Sequence, residues 1–362
     1  MTCVSVMVVE DSPSARELIT DALNSDPRIK VICAVDTAEK ALKLLPRLAP
    51  DVVSMDIRLP GMDGIEATRR IMAEHPTPIV VVAADHRTET VDKSMEALRA
   101  GALTVIAKPA VESPHAYRAI ARHLCEQFLN MSQVKVVRQR FTPEPVARRA
   151  VRPALRVAEN ADAEGRAVDL VAVVASTGGP AAVSRLLRSI GPDFPAPILL
   201  VQHMDGTFLG GYASWLASTS GLPVTLASER QEPKPGAVYL APARHHLTFV
   251  NGRLRLVADA GTRGHVPSGD ALFRSLALNP GPRALGVLLT GMGEDGARGL
   301  LEMRKAGAHT IAQDRTTCAV YGMPAVAVSL GAACEQLPIE AIAPRIVEVV
   351  RGELRAIPAI VR

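Results

Sequence analysis

Residues 4–18 read VSVMVVEDSPSAREL: a strand-sized apolar run, Ser5–Val9, that ends directly in two carboxylates, Glu10 and Asp11. Four more short apolar runs follow within the first 125 residues, at Val31–Ala34, Asp51–Met55, Ile79–Ala83 and Thr104–Ala107, with amphipathic stretches between them. Five strands alternating with helices predict an α/β domain built on a doubly wound parallel sheet. In such a sheet the ligand site lies beyond the carboxyl ends of the strands. Charged residues fall there: Glu10 and Asp11 after the first run, Asp56 after the third and Lys108 after the fifth.

The chain continues well past this domain. Its 362 residues are enough for two domains of ordinary size, and 48% hydrophobic with 22% charged residues is globular composition. With only 3% aromatic residues, the cores must be built from Val, Leu, Ile and Ala, which suits layered α/β packing. No apolar stretch approaches the roughly 20 residues that span a bilayer, so no membrane insertion is expected. The start, MTCVSVMVVEDSPS, lacks the basic head and cleavage site of a secretory signal, which predicts a cytoplasmic protein. Cys3, Cys33, Cys125, Cys318 and Cys334 are scattered without metal or redox spacing and are expected to be reduced packing residues.

The formal charge of +4 has a single source. Between Gln127 and Arg166 there are eight basic residues against four acidic ones, and the flanking regions are close to neutral. No helix-turn-helix or other reading motif accompanies that excess, so nucleic acid is not an expected partner. The same segment is interrupted by prolines and loses apolar periodicity, which marks residues 127–166 as a basic linker between a domain at 1–126 and a second at 167–352, followed by a tail at 353–362. A flexible coil of about 40 residues spans on the order of 35 Å, enough for two domains to dock or to separate.

A second α/β pattern follows the linker, with strand-like runs at Val168–Ala175, Ile198–Val201, Val238–Leu240, Ala284–Leu289 and His309–Ala312. Leu247–Val250 and Arg253–Val257 flank Asn251-Gly252, the signature of a two-residue hairpin turn. The fold expected is again a doubly wound parallel sheet, with no internal repeat linking the two halves.

In the first domain, Glu10, Asp11 and Asp56 would share one crevice, which is electrostatically costly unless a divalent cation binds there. Mg²⁺ is the natural choice, since it accepts carboxylate and phosphate oxygens together. Asp56 could then take up a phosphoryl group while Lys108 offsets the developing charge. VVEDSPSAREL, MDIRLPGMDG and AKP, in this order and spacing, resemble the flavodoxin-like receiver domains of bacterial response regulators. That resemblance implies Asp56 as phospho-acceptor, Glu10 and Asp11 as metal ligands, and Lys108 as the phosphate contact. It also exposes two departures: Ala83 stands where receivers carry Ser or Thr, and Val105 where they carry an aromatic ring.

In the second domain, Val168–Ala175 runs into Ser176-Thr177-Gly178-Gly179-Pro180, a strand-to-helix turn that exposes a hydroxyl near the positive end of a helix dipole. Serine needs a base. His203 follows the next run and Asp295 follows Ala284–Leu289, so a nucleophile, a base and an orienting carboxylate could converge at three strand ends. ASTGGP, QHM, LAPARHH, HVPSGDALFRSLA, LLTGMGEDGARG and AQDRTTCAVYGMP resemble, in order, the catalytic domain of the chemotaxis protein-glutamate methylesterases. The resemblance implies Ser176 as nucleophile, His203 as base and Asp295 as orienter, with Thr177 and the Met292 backbone N–H in support. It further implies hydrolysis of glutamate methyl esters and glutamine amides on methyl-accepting chemoreceptors, with a chemotaxis histidine kinase as phosphodonor. His245, His246 and His265 fall in ordinary loops of that pattern, Cys318 in a structural stretch, and Asp205 where relatives carry proline. Two alternatives share the same residues: a receiver-coupled hydrolase of another protein ester or amide, and a docking regulator that only accepts phosphate.

Overall fold

The computed structural model describes residues 3–83, 88–108, 114–134, 136, 168–259, 264–279 and 283–352. The linker beyond residue 136 and the tail at 353–362 lie outside the described residues. The first domain runs β1 (Val4–Val9), α1 (Pro13–Asn24), β2 (Ile29–Val35), α2 (Ala38–Leu48), β3 (Val52–Met55), α3 (Gly64–Glu74), β4 (Ile79–Ala83), α4 (Thr88–Arg99), β5 (Thr104–Ala107) and α5 (Pro114–Met131). All five strands are parallel, in the order β2-β1-β3-β4-β5. The order reverses at β1, so the crevice between β1 and β3 is the switch point where such a sheet binds its ligand.

The central strands are largely apolar because both faces are covered. Val6 and Val8 pack with Ile19, Leu23 and Phe128 on one side, while Met7 and Val9 pack with Ala41, Leu45 and Ile71 on the other. Local signals start the helices: Ser12 caps α1 ahead of Pro13, Thr37 caps α2, and Asp63 caps α3. α5 runs past residue 126 to Met131, and Phe128, Met131 and Val134 are buried in the first core. Truncating Phe128 to Ala there would cost about 3–5 kcal/mol.

The second domain begins with β6 (Leu170–Ala175), α6 (Gly179–Ile190), β7 (Ile198–Gln202), a 3₁₀ turn (Gly206–Phe208), α7 (Leu209–Ser220), β8 (Val224–Leu226) and β9 (Val238–Leu240). β10 (His245–Val250) and β11 (Arg253–Ala258) form the expected hairpin, with Asn251 and Gly252 both at positive φ. α8 (Gly269–Leu278), β12 (Ala284–Leu288), α9 (Ala297–Lys305), β13 (His309–Gln313), α10 (Met323–Ser329), β14 (Glu335–Leu337) and α11 (Ile339–Val350) complete it. Seven parallel strands lie in the order β14-β13-β12-β6-β7-β9-β8. The chain builds outward from β6 in one direction, then returns to lay β12 against its other edge. That places the carboxyl ends of β12, β6 and β7 side by side. α6, α7 and α11 cover one face through residues such as Val183, Leu186 and Ile346, and α8, α9, α10 and the hairpin cover the other through Phe273, Leu300 and Leu247.

The two domains pack together. Apolar residues of α4 and the α4–β5 turn, Met95, Leu98 and Ala102, join the cluster that holds Leu209 and Trp215 of α7. The Arg99 guanidinium lies 5.2 Å from the centre of the Trp215 ring, and the Gly178 amide donates to the Leu103 carbonyl at 3.4 Å. No helix among the described residues is long and apolar enough to cross a membrane.

Candidate active site

At the β1/β3 switch point, Glu10 and Asp56 are buried and Asp11 is exposed at the rim; ligand-capable oxygens of all three lie within 4.8 Å of one another. The Lys108 ammonium sits 2.7 and 2.9 Å from the two Glu10 oxygens and 3.2 Å from Asp56. Burial pushes both carboxyls above their ordinary range, and Lys108 only partly offsets it. Ala83 closes β4 with its methyl buried beside Ala107, and Val105 is packed in the core of β5. Neither offers a hydroxyl or an aromatic ring.

At the second sheet, Ser176 follows β6 on a turn whose geometry is tightly determined. Its backbone N–H donates to the Thr290 carbonyl at 3.0 Å, and its own carbonyl accepts from Gln202 Nε2 at 2.8 Å. The Thr290 hydroxyl donates to the Thr177 carbonyl at 3.0 Å, while the Thr290 N–H donates to Gln313 Oε1 at 2.8 Å. Gly178 holds φ +74°, and a Cβ there would stand 2.4 Å from Ala319 Cβ. At Gly291 a Cβ would lie 2.2 Å from Met323 Sδ and 2.8 Å from Ser176 Cβ. Close approach therefore requires glycine at both positions, and at Gly178 the left-handed backbone requires it as well.

His203 follows β7 and Asp295 follows β12. His203 Nε2 lies 2.9 Å from Asp295 Oδ2; because a carboxylate only accepts, Nε2 carries the proton and Nδ1 is the bare nitrogen. Nδ1 is buried and has no partner among the described residues. Asp295 is held further by the start of α8: Ser268 Oγ donates at 2.8 Å, the Gly269 N–H at 2.6 Å and the Asp270 N–H at 3.1 Å. Burial alone would raise its carboxyl, but the His203 bond and these donors outweigh it and hold Asp295 well below the usual carboxylate range. The carboxylate is a permanent anion at neutral pH.

Ser176, Thr177, His203 and Met292 line one wall of a cleft of about 440 Å³. The facing wall comes from the first domain: Val105, Ile106, His123, Gln127 and Asn130. The residues singled out from the sequence are thus brought into two sites, one per sheet, and the first domain stands over the second site. Among the described residues, the Met292 N–H donates to no protein acceptor. Asp205 does not act as a partner for His203; its carboxylate caps the 3₁₀ turn, accepting from the Thr207 N–H and hydroxyl at 2.9 and 2.8 Å. Burial and then Asp314 push the Cys318 thiol up to about 12, so it is no nucleophile.

The sequence places His245, His246 and His265 in ordinary loops and gives no role to Gln202, Thr290 or Gln313; in the structure His245 and His246 open β10. The His265 ring stacks on the His203 ring, centroids 4.4 Å apart and planes 15° from parallel. His246 Nδ1 accepts from the Ser268 N–H at 3.2 Å, and His245 Nδ1 lies 3.0 Å from the Ala243 carbonyl. Gln202, Thr290 and Gln313 are buried polar residues that brace the nucleophile turn. All lie inside the motifs quoted above, but their partners are distant in the chain.

Fold and site together define a two-domain regulator, a receiver joined to an α/β catalytic domain. Residues 6–116 match the response regulator receiver domain family, and residues 171–346 match the CheB methylesterase family. Over 349 residues the chain is 45% identical to protein-glutamate methylesterase/protein-glutamine glutaminase 2 of Paramagnetospirillum magneticum, covering 96% of this chain and 98% of that one. It is 42% identical to protein-glutamate methylesterase/protein-glutamine glutaminase 1 of Syntrophus aciditrophicus, covering 94% and 96%. The Thermotoga maritima CheB methylesterase catalytic domain is 35% identical over 51% of this chain and 100% of its own, with a TM-score of 0.48. The chain belongs to the CheB methylesterase family.

Proposed function

We propose that the protein hydrolyses glutamate γ-methyl esters, and deamidates glutamines, on methyl-accepting chemoreceptors in the cytoplasm, with Ser176, His203 and Asp295 as its catalytic residues. The observation that carries this reading is the bare, buried Nδ1 of His203 in the cleft that Ser176 lines, with the opposite nitrogen tied to Asp295. Ser176 Oγ attacks the ester carbonyl and gives its proton to Nδ1. Asp295, already ionised, stabilises the imidazolium. The developing oxyanion takes the Met292 N–H, which donates to no acceptor among the described residues; Thr177 keeps the turn in place through its carbonyl bond to Thr290. Methanol departs with the proton from His203, and water, deprotonated by the same nitrogen, releases the glutamate. The Ser176 N–H is no candidate for the oxyanion, because Thr290 occupies it.

The receiver supplies control. Three carboxylates, two of them pushed up by burial, make a hard oxygen site that suits Mg²⁺, held by Glu10, Asp11 and Asp56. When bound, the ion neutralises charge on phosphate oxygens. Asp56 is the phospho-acceptor and Lys108, now paired with Glu10 and Asp56, the group that turns to the phosphate, which a chemotaxis histidine kinase donates. The wall that β5 and α5 place across the cleft keeps a receptor out until the receiver moves. In this division the receiver extends through Val134, the linker occupies the chain up to about 166, and the catalytic unit ends near Gly352.

The test is methanol release from methylated receptor, with and without a small phosphodonor and Mg²⁺. Release that rises on phosphorylation supports both halves of the reading. Hydrolysis of generic esters with none from receptor would point to another protein substrate.

A further inference from the structure

We infer that His265 is a positioning residue for the general base: its ring is a flat wall that fixes the plane of the His203 imidazole and so aims Nδ1 at the serine. The inference rests on the triad reading and adds to it a residue from outside the triad. His203 is anchored at two places, its Cβ on the chain after β7 and Nε2 on Asp295. A ring pinned at those two points can still swing about the line joining them, and that swing carries Nδ1 toward or away from Ser176. No hydrogen bond among the described residues restrains Nδ1. The nearly parallel His265 ring, 4.4 Å away, closes off the swing toward its own side.

The wall is held by the same segment that holds Asp295. Three residues beyond His265, Ser268 caps α8 and donates to Asp295, and its N–H is fixed in turn by His246. One short stretch therefore sets both the anchor and the plane of the base. The ring nitrogens of His265 bond to no described residue, and the ring engages His203 through its face. Burial, then the neighbouring His203, hold its pKa below the ordinary histidine value despite the opposing pull of Asp295. His265 is accordingly neutral at neutral pH and sets no charge against the imidazolium that forms when His203 takes the proton.

A flat wall and a merely space-filling side chain make different demands, and three substitutions in the full-length, phosphodonor-treated protein separate them. With methylated receptor as substrate, His265→Ala should lower kcat by about 10- to 100-fold while KM changes by less than about threefold, since misaimed reacting groups cost rate rather than binding. His265→Phe, which restores a flat ring without ring nitrogens, should recover kcat to within about threefold of the parent. His265→Leu, apolar but not flat, should stay as slow as His265→Ala. Equal impairment of all three, or parental kcat in His265→Ala, overturns the inference while leaving the triad intact if Ser176→Ala is inactive in parallel. Turnover by a folded Ser176→Ala would remove the triad reading and this inference with it.

Discussion

Asp56 and Asp295 occupy the same place in two sheets, just beyond the carboxyl end of a parallel strand at the switch point, yet their environments push them in opposite directions. Asp295 accepts from four donors, the His203 ring, the Ser268 hydroxyl and two amides at the start of α8. Asp56 accepts from the Ile57 N–H and shares Lys108 with the equally buried Glu10. Burial therefore wins at Asp56 and loses at Asp295. The first site is short of positive charge and suits a cation and a phosphate; the second is complete within the protein and suits a task in which its carboxylate stays ionised throughout.

The largest effect that can break this comparison is on catalysis. Ser176→Ala should lower methanol release by about 10³-fold or more, with His203→Ala and Asp295→Ala close behind and not additive with it. Near-parental turnover by any of the three in folded protein would refute the assignment. At the receiver, Asp56→Asn should abolish Mg²⁺-dependent phosphate labelling while leaving basal ester hydrolysis in place. Labelling that persists would place the acceptor elsewhere.

Stability sharpens the contrast because the signs differ. A folded-state pKa below the unfolded value gives stability that is present above the ordinary carboxylate range and is lost as pH falls toward the folded value, which is the case of Asp295. A raised pKa does the reverse: the charged form is penalised, and the penalty grows as pH rises through the folded value, as for Asp56 and Glu10. At pH 7 without Mg²⁺, Asp295→Ala should lower the melting temperature by on the order of 10 °C, and Asp56→Asn should raise it by a few degrees. Mg²⁺ should then stabilise the parent more than Asp56→Asn. Calorimetry reads all of these, and changes of the same sign would contradict the electrostatic account.

Smaller effects concern the contact between domains. Residues 166–362 alone should hydrolyse receptor faster than the unphosphorylated full chain, though less stably, since Leu209 and Trp215 lose their receiver neighbours. Arg99→Ala removes a cation–π contact of about 0.5–2 kcal/mol and should raise basal turnover by about 2- to 10-fold. Unchanged basal rates would mean that the packing of α4 on α7 does not restrain the enzyme. The smallest effect is expected at Ala83→Thr, which returns a hydroxyl to the end of β4. It should increase the ratio of phosphorylated to unphosphorylated rates at equal labelling, because phosphate shifts two states only through its differential contacts.

Much of this was legible in the chain itself, since parallel strands buried on both faces announce themselves as apolar runs. Every run read as a strand is one, to within a residue or two at its ends. The strands that escaped are β8 and β14, three residues each at the two edges of the second sheet, where Thr225 and Leu226 are exposed and Glu335-Gln336-Leu337 carries no apolar run. The linker was expected from residue 127, whereas α5 continues to Met131. Gln127 and Asn130 interrupt its apolar pattern because they face the catalytic cleft, while Phe128 and Met131 continue the core. Ser176 and His203 could be singled out because each directly follows a recognisable strand, and Asp295 because it lies in the glycine-rich loop after another. His265 could not, because its significance is a contact through space with a ring on another element.

The bond from the Gly178 amide to the Leu103 carbonyl joins the turn that carries Ser176 to the turn that precedes β5 of the receiver. A backbone proton so placed is sheltered from deuterium only while the domains remain docked. Its exchange rate should quicken on phosphorylation and in Arg99→Ala, and stay slow in Ser176→Ala, whose hydroxyl takes no part in that bond. One amide thus reports, without substrate, what fraction of the molecules stand open at any moment, and allows release of the receiver to be counted separately from the chemistry it uncovers.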